Sequence, residues 1–243
     1  MSKTRVLTKR CLREILRDPL SLVFCLGFPV VMLVGMQVLF GNLEFVPENF
    51  CIENYAVGIC VFGYTFDMLF LSLLMAGDKE TEFINRIYIA PVSKRNYVLS
   101  FLCAMAPIAL VQTVLFFLIA LLFGLPFGLP MLLAVLYLIP SILFYLSVGV
   151  FLGTVSKNVK QTGPLSSIVI SLASMLGGVF MPVKELGTFS EILRFLPFTH
   201  TVEIASGVFS GDYGCIYPHI LWVVGYAAVF FLVSLLLYRK KEC

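Results

Sequence analysis

Charge is scarce in this sequence. Only 13% of its 243 residues are Asp, Glu, Lys or Arg, where a soluble domain carries about a quarter. An ordinary water-soluble fold is thereby excluded, because 60% of the residues are hydrophobic and the mean hydropathy is +0.99. Chemical motifs are missing too. No GxxxxGK[ST] run is present, so the chain has no phosphate-cradling loop of its own, and neither HExxH nor GxSxG occurs. The seven cysteines are odd in number and contain no CxxC pair, which argues against a disulfide scaffold and a zinc site. His200 and His219 lie far apart in sequence with no Cys/His cluster around them, so they read as incidental and no metal is expected. The net charge of +3 does not imply nucleic acid, because the basic residues follow membrane topology.

What is there is a series of apolar runs near the roughly 20 residues that cross a bilayer as helix. They fall at Leu20–Phe40, Tyr55–Ala76, Tyr97–Phe123, Met131–Val155, Pro164–Met181 and Tyr217–Tyr238. The expected fold is an all-α polytopic membrane protein of six transmembrane helices, forming a single domain over 1–243. The first run is of full span length and no small-residue cleavage site follows, so no cleavable signal peptide is expected. Pro29, Pro107 and Pro140 lie inside runs and predict kinks. Fifteen of the seventeen Lys and Arg lie on one side of this layout, and only Lys184 and Arg194 on the other. The positive-inside rule then puts both termini in the cytoplasm of a multi-pass cell-membrane protein. Tyr97, Tyr217, Trp222 and Tyr238 fall near span ends, where interfacial aromatics collect.

Two polar segments stand out. In residues 1–19, Leu7, Cys11, Leu12, Ile15 and Leu16 share one helical face, with Lys3, Lys9, Arg10, Arg13 and Arg17 opposite. This pattern predicts an interfacial helix on membrane lipid, broken at Asp18-Pro19. Residues 77–93, GDKETEFINRIYIAPVS, predict a second amphipathic helix of about three turns, exposed to the cytoplasm. Asp78, Glu80 and Glu82 crowd its start, Glu82 and Arg86 form a four-apart ion pair, Phe83 and Ile87 share an apolar stripe, and Pro91 marks the stop. Asp67 is the one ionisable side chain deep in a span. It is either a functional carboxylate, as in a proton-coupled carrier, or a hydrogen-bonded group at a helix interface. An intramembrane hydrolase built on Asp67 and Asp78, or on Ser206 and His200, lacks the flanking pattern such chemistry needs.

Three stretches together resemble the permease subunits of ABC-2 type exporters. They are LREILRDPLSLVFCLGFPVVML, GDKETEFINRIYIAPVS and SMLGGVFMPVKELGTFSEILRFLPFTHTVEIASGVFSGD. Ser206 stands where that family often has Arg. The resemblance implies a division of labour. A separate ABC ATPase subunit holds ATP and magnesium, this chain carries no cofactor, and a second permease copy or sister permease completes the pathway. It also implies that 77–93 is a coupling helix docked on the ATPase through Glu80, Glu82, Phe83, Arg86 and Ile87. Residues 182–216 become re-entrant helices that gate the outer end, punctuated by Gly178, Pro182, Pro197 and Gly207. The substrate implied is hydrophobic or amphipathic: a drug, peptide, lipid or lipid-linked saccharide.

Overall fold

The computed structural model describes residues 3–40, 50–81, 83, 93–180, 195–211 and 213–240. Among the described residues every regular element is helical. In chain order these are α1 (Lys3–Arg17), α2 (Pro19–Phe40), α3 (Ile52–Glu80), α4 (Lys94–Leu122), α5 (Leu129–Val155), α6 (Val159–Leu176), α7 (Pro197–Ser210) and α8 (Tyr213–Lys240). Five of them, α2, α3, α4, α5 and α8, are long and apolar enough to cross a membrane.

Local chemistry sets the boundaries. Asp18 has extended backbone and caps α2: its carboxylate accepts from the Leu20 N–H at 3.1 Å and from the Ser21 hydroxyl, with Pro19 at the first helical position. The expected break at Asp18-Pro19 is therefore a helix restart. Inside α2 the turn Val23–Gly27 is a π-helix, placed just before Pro29, which has no N–H to give a regular ladder. α5 is interrupted at Leu138, ahead of Pro140, for the same reason. Gly124, at φ +95°, closes the turn after α4.

α3 is the central post. Its most apolar window is 72% buried within the chain, against 17% for both α2 and α8, which turn their apolar residues outward. α5 packs along α3 through Gly149 and Gly153, a GxxxG pair. A Cβ at Gly149 would stand 2.7 Å from the Met68 carbonyl oxygen, and one at Gly153 would stand 2.8 Å from the Met75 Cβ. Lipid is as apolar as any side chain, so helices in a bilayer gain little from hydrophobic burial and rely on such close packing.

α6 starts beside the end of α3, where the Val159 N–H donates to Glu80 Oε1 at 2.8 Å. Past its far end, Val179 lies against Gly58 near the start of α3. α6 therefore runs antiparallel along most of α3. Its serines lower its apolarity, and Ser166 Oγ meets Ser72 Oγ of α3 at 3.0 Å.

Two expectations need correction. The acidic residues at 77–80 do not open a new helix. They form the last turn of α3, which ends at Thr81. Arg10, expected on the lipid-facing cationic side of α1, turns inward to Asp78. Arg13 and Arg17 are exposed, as an interfacial helix requires, while Cys11 and Ile15 are buried.

Gly149→Ala should force α5 off α3 and cost about 1–3 kcal/mol, as overpacking does. Gly225→Ala on α8 meets nothing within 4 Å and should be neutral or stabilising by up to about 1 kcal/mol through helix propensity. Thermal unfolding of both variants in detergent reads the difference in sign.

Candidate functional site

Three consecutive residues at the end of α3 point in three directions, because each helical step turns about 100°. Asp78 is buried and accepts two parallel bonds from Arg10 of α1, Nη1 to Oδ2 at 2.9 Å and Nη2 to Oδ1 at 2.5 Å. The Tyr97 hydroxyl of α4 donates to the same Oδ2 at 2.9 Å. Lys79 reaches the other way and donates to the carbonyls of Gly153 at 2.5 Å, Thr154 at 2.8 Å and Ser156 at 2.7 Å. Its cation thus satisfies carbonyls that the end of α5 leaves without helical partners, at the negative end of that helix. Glu80 accepts from the Val159 N–H in the first turn of α6, where a carboxylate is favoured. One turn of α3 therefore clasps α1, α4, α5 and α6.

The clasp is reinforced around Arg10. Nη2 also meets Glu14 at 2.8 Å, and the guanidinium lies 3.7 Å above the Phe83 ring. Burial pulls the guanidinium pKa down, but the Asp78 hydrogen bonds and the charges of Asp78 and Glu14 outweigh it and hold it above the usual arginine value. Burial pushes the neighbouring Cys11 thiol up to about 12, so it stays a protonated packing residue. The last helix joins at the same end: Lys94 Nζ donates to the Tyr238 carbonyl at 3.2 Å, and the Tyr97 and Tyr238 rings are 5.7 Å apart.

A cleft of about 430 Å³ opens between α1, the start of α2 and the end of α3. Arg10, Glu14, Asp18 and Asp78 line its polar side, and Leu20, Phe70, Leu73 and Leu74 its apolar side. Such a lining suits a molecule with a polar head and an apolar body.

Deeper in the bundle, Asp67 is fully buried and is not isolated. With the Gln112 amide nitrogen turned toward the carboxylate, it lies 2.9 Å from Oδ2 and 3.1 Å from Oδ1. The buried Cys25 thiol, in the π turn of α2, lies beside the same carboxylate. Gly63 leaves room for this arrangement, since a Cβ there would run into the Gln112 amide and the Phe116 ring. The Tyr64 hydroxyl pairs with Thr113 at 2.6 Å one layer away. The geometry is that of a satisfied polar node joining α2, α3 and α4.

The sequence-derived sites are thus split between places. Glu80 and Phe83 are engaged within the chain. Glu82, Arg86, Ile87, Pro91 and Pro182 lie outside the described residues. At the opposite end of the bundle, Gly178 takes φ +78° beyond α6 and Pro197 starts α7. Gly207 gives a carbonyl to the cap at Gly211, whose φ is +75°. There the structure brings Glu203 together with His200 and His219, two histidines that the sequence reading kept apart. Tyr97 was read only as an interfacial aromatic, and Gln112, Gly149 and Gly153 were missed. The only signals for them were small or neutral polar residues at helical spacing within apolar runs.

Comparison with known proteins adds the context. A family model described as ABC-2 type transporter matches residues 2–210. The chain is similar to the inner membrane transport permease YhhJ of Escherichia coli (strain K12), with 28% identity over 97 residues, 39% of this chain and 26% of that protein. It is also similar to the putative transport permease ycf38 of Cyanophora paradoxa, with 26% identity over 207 residues, 84% of this chain and 58% of that one. The chain thus spans less than two thirds of the length of these relatives.

Asp78→Ala should cost about 2–3 kcal/mol. That is below the ~3–5 kcal/mol of a fully buried broken pair, because Arg10 keeps 27% of its side-chain surface in contact with solvent. In a double-mutant cycle on Arg10→Met and Asp78→Ala, the double variant should recover at least about 1 kcal/mol of that loss. Strictly additive effects in chemical unfolding of the purified chain would contradict the pairing.

Proposed function

Because the chain belongs to the ABC-2 type transporter family, we propose that it is the permease subunit of an ATP-driven exporter. It works with a separate ATPase chain that holds ATP and magnesium and with a second permease copy or sister permease. The observation that carries this reading is the clasp made by Asp78, Lys79 and Glu80. It stands where α3 gives way to the 81–93 segment, so a push on that segment is delivered to α1, α4, α5 and α6 together. Phe83 under Arg10 extends the same path. The coupling role is carried by 82–92, with Glu82, Arg86 and Ile87 as the docking residues. Glu80 and Phe83 transmit force inward.

Six crossings are supported by the course of α6, which runs from the level of Glu80 to that of Gly58. Both termini on one face are supported by α1 and the end of α8 meeting around Tyr97, and the excess of Lys and Arg there makes that face cytoplasmic. α6 also exposes Ser167 and Ser171 beside Ile168, Leu172 and Met175. A mixed face of small polar and apolar residues suits contact with a second permease better than contact with lipid. α7, which contains Pro197 and Gly207, belongs with Gly178 and Pro182 to the outer gate. The substrate class is hydrophobic or amphipathic.

Purification of the chain from its native membrane should bring a P-loop ATPase with it, and Glu82→Lys should abolish both that association and export while leaving insertion intact. Asp67→Asn should retain ATP-dependent transport. Transport that runs on a proton gradient and vanishes in Asp67→Asn would overturn the reading in favour of a carrier.

A further inference from the structure

At the end of the bundle far from Asp78, α7 and α8 bring three ligand-type side chains into one place. His200 and Glu203 are three apart on α7 and so share a face. His219 comes from the first third of α8. His200 Nδ1 and His219 Nδ1 are 2.6 Å apart. Glu203 Oε2 lies 3.2 Å from His219 Nδ1 and 3.7 Å from His200 Nδ1. We propose that these residues form a binding site for a divalent transition metal, zinc foremost, that fastens α7 to α8.

The chemistry of the donor set supports this. Two imidazoles and one carboxylate make a mixed nitrogen and oxygen site suited to zinc and its neighbours, with one position left for water. Bonds of about 2.0–2.1 Å in a tetrahedron set neighbouring ligand atoms about 3.3 Å apart. Both carboxylate separations already lie close to that value. The two nitrogens, 2.6 Å apart, need to part by about 0.7 Å to reach that spacing, which rotation of the rings about their side-chain bonds supplies. In the metal-free protein one Nδ1–H donates to the other Nδ1, so both nitrogens already face the same point.

The surroundings fix the geometry and leave an entrance. His200 is buried, and the Trp222 ring stacks on it at 5.8 Å with an interplanar angle of 11°. Glu203 is half exposed, with 52% of its side chain accessible, so an ion has a path in and the water position faces outward. The site draws on two consecutive helices that already pack on each other, and α7 also packs on α3 and α5. A bound ion therefore adds a direct bridge between the short helix and the long one. The proposal does not depend on the exporter reading, since binding is measured on this chain alone.

The chain has a single tryptophan, and it is the one stacked on His200, so it reports the site directly. The full-length chain, purified without a histidine tag, stripped with chelator and placed in nanodiscs, is titrated with zinc and separately with cobalt. The expected result is one zinc per chain by elemental analysis, with a Trp222 fluorescence change that saturates at the same point. Cobalt should quench Trp222 and give the visible absorption of a four-coordinate site. Glu203→Gln and His219→Gln should each weaken binding at least tenfold. Glu203 is half exposed, so its variant keeps the fold, as circular dichroism will check. No binding at micromolar zinc, equal affinity in wild type and both variants, or loss of binding only in Cys215→Ser, which would put the ion on a thiol, overturns the proposal.

Discussion

A charged group at the end of a membrane-spanning helix must either reach water or find a partner, because an unpaired charge away from water costs several kcal/mol. Asp78, Lys79 and Glu80 meet that demand three times in one helical turn, and each solution joins a different helix. The partners are the groups that other elements leave unsatisfied: a guanidinium on α1, carbonyls at the end of α5, and an N–H at the start of α6. The architecture at this end of the bundle follows from this complementarity. α1 is held against the bundle by Asp78 as well as by burial of Cys11 and Ile15, and the Ser156–Asn158 turn between α5 and α6 is pinned from both sides by α3.

The same logic operates more weakly at mid-depth. Asp67 finds Gln112, Tyr64 finds Thr113, and Ser72 finds Ser166. These contacts place a polar layer along α3, while Gly149 and Gly153 bring α5 close enough to pack against its backbone. α3 is thus bound along its length by hydrogen bonds and close contact, whereas α2 and α8 turn apolar surface outward. A helix held in this way moves its neighbours when it moves.

The long apolar helices were legible in the sequence because an uncharged run of span length has few alternatives in water. The break at Asp18-Pro19 was legible because proline cannot continue a helix ladder and disfavours helix at the residue before it. The end of α3 was misread for a physical reason. A cluster of acids resembles a helix start, and the local rule assigns it so, but these acids are stabilised by partners 68 and 79 residues away. Arg10 was assigned to lipid on the same local grounds. Gln112 escaped notice because a neutral amide in a span carries no charge to flag it. His200 and His219 were judged separate because sequence does not set the register between α7 and α8.

The central claim is that one turn of α3 holds α1 and the α5–α6 turn in place. Hydrogen–deuterium exchange on the chain in nanodiscs, comparing wild type with a variant carrying Asp78→Ala, Lys79→Ala and Glu80→Ala, tests it directly. The account predicts faster exchange in α1 and in residues 153–162, with the amides around His200 and His219 unchanged. Unaltered protection of α1 and of 153–162 in the triple variant would contradict it.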